Sequence, residues 1–232
     1  MTTIDPLKWL NLESGPGTPA HNMALDEALL EAMPRLGFPV LRSYSWTLPA
    51  ASFGYFQKYS EVERLTQLRP LVRRPTGGGI VPHDADWTYS VVVPVCHPWY
   101  SLTAVESYRR VHEWICDAFA LLGIKTELAP EPRHDTAGQC FIGYEQFDLL
   151  RRGRKIAGAA QRRRRDGLLI QGSVQAGAEA VPRRSWQQGL REAATSNWGI
   201  SWNPFWLDEE LSRRVEALEQ KKYSQAGYNQ RR

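Results

Sequence analysis

Two tight turns, Arg152–Gly153 and Asp166–Gly167, constrain this chain more than any other feature. They separate three stretches that read as strands: Phe147 to Leu150, Lys155 to Gln161 and Leu168 to Gln175. A two-residue turn joins antiparallel neighbours, and Asp-Gly is a strong hairpin signal. Val40 to Ser45, Ala51 to Tyr55, Leu71 to Arg74 and Thr88 to Val95 also read as strands, the last rich in β-branched residues. Helical spacing links Ala24, Leu25, Ala28, Leu29 and Ala32 after a loop at Glu13 to Pro19, with Pro34 and Gly37 as stops. A second helix opens at Thr103, where Glu106 completes a capping box, and its apolar stripe runs from Val105 to Leu122 before Gly123. A last helix is expected from Asp208 to about Lys222, followed by a mobile tail, 223–232. These elements do not alternate as βαβ units. The expected class is α+β: a largely antiparallel, mixed sheet flanked by helices.

The 232 residues suit one domain, taken as residues 1–222, and 42% hydrophobic residues supply a sizeable core. No apolar run approaches the ~18 residues that span a bilayer, and no basic region followed by an apolar stretch opens the chain. A cytoplasmic enzyme is therefore expected, with no membrane partner. Cys96, Cys116 and Cys140 are odd in number and form no CxxC pair, which argues against a disulfide framework or a zinc site. Cys116 beside the helix stripe and Cys96 at the end of an apolar strand read as buried structural thiols. Residues 151–165 hold eight of the basic residues and no acidic one, so a net charge of +4 leaves −4 elsewhere. That concentration points to a local anionic partner or to a solvated rim. Aromatic residues do not interleave with the arginines as a base-stacking platform needs, which argues against nucleic acid.

Three segments carry chemistry. In Arg73–Arg74–Pro75–Thr76–Gly77–Gly78–Gly79–Ile80–Val81–Pro82–His83–Asp84, the glycines let backbone N–H groups approach an anion or a thin acyl chain, and Arg74 is placed to meet a phosphate or carboxylate. The pattern is neither a Walker loop nor a dinucleotide loop. In Gly153 to Gln161, Lys155, Ala157 and Ala159 are expected on one face of a strand, leaving room for a slender chain that ends at the lysine. Gly138–Gln139–Cys140–Phe141 sets a cysteine after a polar loop, and nearby positive charge would favour its thiolate.

Together with the helix segment NMALDEALL and with SFGYFQ (Ser52 to Gln57), the segments RRPTGGGIVPHD and GRKIAGAAQRR resemble the lipoate–protein ligase, octanoyltransferase and biotin–protein ligase family. The resemblance runs from about Asn22 to Gln175 and implies the fold shared by biotin ligases and class II aminoacyl-tRNA synthetases. It is nearest to octanoyltransferases that work through a cysteine thioester and act on the glycine-cleavage H protein. By that resemblance Cys140 is the nucleophile and Lys155 lowers its pKa and orients the acyl carbonyl. Arg74, Gly77, Gly78, Gly79, Ile80, Val81, His83, Asp84, Gly158, Ala160 and Gln161 line the substrate site, with no metal. The implied donor is an acyl-carrier protein, and the acceptor is a lysine of a lipoyl domain or an H-type protein, without a cofactor. The alternatives are ATP- and Mg2+-dependent lipoate ligation, lipoyl relay between carriers, and a non-catalytic carrier binder; the apparent lack of an accessory C-terminal domain weighs against the first. Two departures stand out: Gln171–Gly172 replaces the family's usual His-Gly pair, and Pro82 precedes His83.

Overall fold

The computed structural model describes residues 7–133, 143–175 and 181–231. In chain order the elements are β1 (Lys8–Gly17), α1 (Pro19–Leu36), β2 (Val40–Trp46), β3 (Ala50–Phe53), α2 (Tyr59–Leu65), β4 (Leu71–Arg73), β5 (Val81–His83) and β6 (Trp87–Pro94). There follow α3 (Ala104–Leu121), β7 (Glu127–Leu128), β8 (Leu149–Arg151), β9 (Arg154–Arg164), β10 (Gly167–Val174), α4 (Arg183–Trp198), β11 (Ser201–Pro204), α5 (Glu209–Leu218) and α6 (Ala226–Asn229).

Eight strands form one sheet in the order β11-β1-β2-β6-β10-β9-β8-β7, and β4-β3-β5 form a small second sheet. In the large sheet β1 pairs parallel with β2 and β11. The other pairings, from β2·β6 to β7·β8, are antiparallel. The sheet is thus mixed and largely antiparallel, and both expected turns close hairpins. β6 and β10 carry the apolar runs Val91 to Val93 and Leu168 to Ile170 because both faces are covered there. Val91, Val93, Leu168 and Ile170 pack toward Trp114, Phe119, Trp186 and Leu190 of α3 and α4. Val92 and Leu169 pack on the other side with Met23, Leu29 and Leu30 of α1 and Leu211 and Val215 of α5. The result is three layers around one central sheet.

Several expectations change. Glu13 to Gly17 is strand, not loop: a register shift between Glu13 and Gly15, with Gly15 at φ 68°, keeps β1 paired with β2 through a bulge. α1 runs through Pro34, and Gly37, at φ 69°, caps it by donating its N–H to the Met33 carbonyl. Thr103 and Glu106 form the capping box as read from the sequence. α5 ends at Leu218 and gives way to a π-helical turn, Glu219–Tyr223, and then α6. Where a mobile tail was expected, Tyr223 is buried against Glu27, and Asn229 accepts the Arg73 N–H at 2.8 Å. Cys116 is half-buried and bonded to Thr126, whereas Cys96 is exposed rather than buried because its strand ends two residues earlier. No helix among the described residues is long and apolar enough to cross a membrane.

Candidate active site

β9 and β10 make one wall of a cleft. Their register sets Gly158 opposite Ser173 and Ala160 opposite Gln171, and all four line it. Ala157 and Ala159 pack toward the α3 side, and Ala159 also borders the cleft. Lys155 does not share their face as the alternation predicted. Lys155 pairs with Leu150 and Ala157 with Leu149, so Ile156 is an extra residue in the β9 edge. One inserted residue reverses the alternation and carries Lys155 to the cleft side. Its side chain then lies over Gly158: a Cβ there would come within 2.7 Å of Lys155 Cε and 2.9 Å of Nζ. The glycine is required at this position because the lysine stem occupies the space a side chain would take.

The small sheet and the glycine loop form the facing wall. A Cβ on Gly54 would sit 1.9 Å from the Gly78 carbonyl oxygen, so the loop backbone rests directly on the end of β3. Gly78 takes φ 83°. Arg74 is buried beneath the loop. Its Nε donates to the Gly77 carbonyl at 3.0 Å, its Nη2 to the Gly79 carbonyl at 2.7 Å and its Nη1 to Ser52 Oγ at 3.3 Å. These bonds brace the loop, a role different from the direct anion contact read from the sequence. Counting its open mouth, the cleft holds about 480 Å³ of space.

A chain of polar groups also borders the cleft. His83 stacks on Trp46 with ring centroids 3.8 Å apart. Its Nδ1 is 2.9 Å from Asp86 Oδ2 and its Nε2 2.8 Å from Ser52 Oγ. A carboxylate accepts, so the Nδ1–H of the ring donates to Asp86. The partner of His83 is Asp86, since the adjacent Asp84 points away into solvent. Asp86 Oδ2 also accepts from Thr88 and Ser173.

Gln171, at the departure from the family pattern, is buried in a second network. Its Oε1 accepts from Thr76 Oγ1 at 2.7 Å and its Nε2 donates to Asp26 Oδ2 at 2.7 Å. Asp26 further holds Arg42 at 2.6 Å, Ser90 at 2.7 Å and the Tyr44 hydroxyl at 3.0 Å. Burial, then the neighbouring Asp26 charge, pushes the Tyr44 hydroxyl far above the usual tyrosine range. The glutamine thus links the base of the glycine loop to a buried ion pair.

Of the residues expected at the site, Lys155, Arg74, Gly78, Val81, His83, Gly158 and Ala160 line the cleft. Gly77 and Gly79 shape the loop through carbonyls that Arg74 grips. Ile80 instead packs with Phe53, Val62 and Leu71 in a small apolar cluster, and Asp84 is exposed. Gln161 turns the other way, toward Ser107 and the Ala104 carbonyl of α3. Cys140 and Phe141 lie outside the described residues. Sequence reasoning missed Ser52, Asp86, Asp26 and Asp148; the one signal they share is an apolar neighbour in sequence. No group of three or more His, Cys, Asp or Glu among the described residues is placed to hold a metal.

Residues 18–191 match the model of the Lipoyl protein ligase A/B catalytic domain. The octanoyltransferase LipM of Carboxydothermus hydrogenoformans is 44% identical over 163 residues, covering 67% of this chain. The chain spans 60% to 65% of the length of such curated relatives. Among solved structures, a Thermoplasma acidophilum protein with bound lipoic acid superposes with a TM-score of 0.81 at 22% identity, over 97% of this chain and 100% of that one. A structure from the same archaeon, of a bipartite lipoate protein ligase and its E2 lipoyl domain, gives a TM-score of 0.70 at 21% identity, covering 96% of this chain and 95% of that one. At these identities the structural likeness establishes the fold.

Proposed function

Because the chain belongs to the lipoyl protein ligase A/B catalytic domain family, we propose that it transfers an octanoyl group from an acyl-carrier protein to a lysine of a lipoyl-type carrier domain, through a thioester on Cys140. The observation that carries this reading is the bulge of β9, which sends the Lys155 ammonium to a narrow cleft walled by Gly158 and Ala160. A slender acyl chain fits between small residues, and a cation at its end suits a carbonyl that gains negative charge. The curated relatives named octanoyltransferase support the acyl group.

The reaction is ping-pong. The Cys140 thiolate attacks the donor thioester carbonyl. The tetrahedral oxyanion is stabilised by Lys155 or by backbone N–H groups. The carrier thiolate leaves and an octanoyl-enzyme thioester remains. The acceptor amine attacks that carbonyl, loses a proton, and the Cys140 thiolate departs, leaving an amide. Thioester to thioester to amide runs downhill, so neither ATP nor Mg2+ enters. The acceptor is a lipoyl domain or an H-type protein.

Intact-mass measurement after incubation with octanoyl-acyl-carrier protein, without ATP, tests this. The expected result is one octanoyl adduct, removed by hydroxylamine and absent from Cys140→Ala. An absence of adduct, with lipoate or octanoate transferred only once ATP is added, would overturn it in favour of an acyl-adenylate ligase.

A further inference from the structure

Lys155 has a buried partner outside the cleft lining. Asp148 is fully buried, immediately before β8. Its Oδ2 lies 2.7 Å from Lys155 Nζ and accepts the Glu145 N–H at 2.7 Å. Its Oδ1 accepts from the Tyr108 hydroxyl of α3, which in turn receives the Ala159 N–H at 3.4 Å. Three segments, the turn before β8, the inner face of α3 and the bulged β9, therefore converge on one carboxylate. Lys155 stands between it and the cleft, with a side chain only 7% exposed. Among the described residues, His112, whose ring packs on Tyr108 at 4.3 Å, and the buried Tyr89 also face this cluster.

A buried ion pair contributes little net stability, because desolvation offsets the attraction. This pair is instead arranged to present one charge. Both carboxylate oxygens accept from donors, which fix the orientation of Asp148. An ammonium taken out of water loses its proton readily unless an opposite charge holds it. We propose that Asp148, oriented by Tyr108, is the positioning residue that keeps Lys155 charged and aimed into the cleft. This rests on the reading that Lys155 serves acyl transfer.

Two measurements on the full chain separate the two ideas. The first is the rate at which trace acetic anhydride acetylates Lys155 at pH 8, read by peptide mass spectrometry against exposed Lys58. The second is the pH profile of octanoyl transfer. Asp148→Asn should speed acetylation of Lys155 by about tenfold and move the alkaline limb of the profile to lower pH. Asp148→Glu, which restores the charge and also serves if the Asn variant does not fold, should return both toward wild type with a lower kcat. Wild-type acetylation in Asp148→Asn, with transfer reduced equally at every pH, would overturn the proposal, as would failure of Asp148→Glu to restore either readout. Faster acetylation in Asp148→Asn alongside a wild type that transfers no octanoyl would sustain the positioning of Lys155 and overturn only the transfer reading.

Discussion

Gly158 shows how a single hydrogen in place of a methyl group shapes the site. The Lys155 stem and the Asp148 carboxylate both lie within 3.0 Å of where a Cβ would be. Gly158→Ala leaves the strand backbone allowed, since alanine fits an extended conformation, but it pushes the lysine off its partner. Overpacking of this kind costs about 1 to 3 kcal/mol. On the proposed reaction, the displaced lysine should lower kcat for octanoyl transfer at least roughly tenfold, because a small misplacement at a reacting centre is costly. Parallel measurements of kcat and thermal unfolding check this: a large kcat loss with a modest shift in Tm is expected. The glycine itself was legible in the sequence, as were Lys155 and the glycine loop. Its reason was not, because the alternation rule assumed a regular strand and β9 carries an extra residue.

At the scale of elements, α3 was visible from end to end because its stripe and its capping box agree. Its inner face also carries His112, fully buried, with Nδ1 3.0 Å from the Tyr108 carbonyl and no partner for Nε2 among the described residues. Burial, opposed by the nearby Asp148 charge, pulls its pKa from 6.5 to about 4. The folded value lies below the unfolded one, so protons bind preferentially to the unfolded chain between the two. Stability contributed by the neutral ring is complete above pH 6.5 and is lost as pH falls toward 4. The loss should approach about 3 kcal/mol at the acid end. Urea unfolding between pH 7 and 4 should show this decline, and His112→Gln should flatten it. By contrast, α4 and β11 were not read from the sequence. α4 buries Trp186, Gly189, Leu190, Ala193 and Ala194 at helical spacing, but two small residues and a glycine in that stripe leave little hydrophobic signal. β11 is four residues long and pairs with β1 across nearly the whole chain, a partnership no local pattern announces.

For the whole molecule, the run of basic residues changes meaning. In sequence it is one block. In the fold, the β8–β9 turn with Arg152 and Arg154 and the β9–β10 turn with Arg165 lie at opposite ends of an 11-residue strand, roughly 33 Å apart at ~3.3 Å per residue. Arg162 and Arg164 turn back onto the protein, toward the Pro75 carbonyl and Glu27. The block is therefore two separate charged ends, and the one bearing Arg152 and Arg154 is next to Lys155. Arg152→Glu with Arg154→Glu should raise KM for the proposed acyl-carrier donor several-fold and weaken its salt dependence, because exposed charges act chiefly by steering. Arg165→Glu, 95% exposed at the far end, should leave both nearly unchanged. Steady-state kinetics at two ionic strengths distinguish the ends.

The sequence by itself determined the fold class, the hairpin pairing around β9, the helices α1 and α3, and seven of the cleft-lining residues. These rest on local physics: turn stereochemistry, apolar periodicity and the steric permission of glycine act within a few residues. Only the tertiary structure decided which face Lys155 takes, that Asp148 stands behind it, that Arg74 braces the loop, and that Gln171 closes onto Asp26. Asp148 and Tyr108 are 40 residues apart, and Gln171 and Asp26 are 145 apart. Buried polar groups must find partners wherever the packing brings them, so their pairing is set by the assembled layers and not by any stretch of chain.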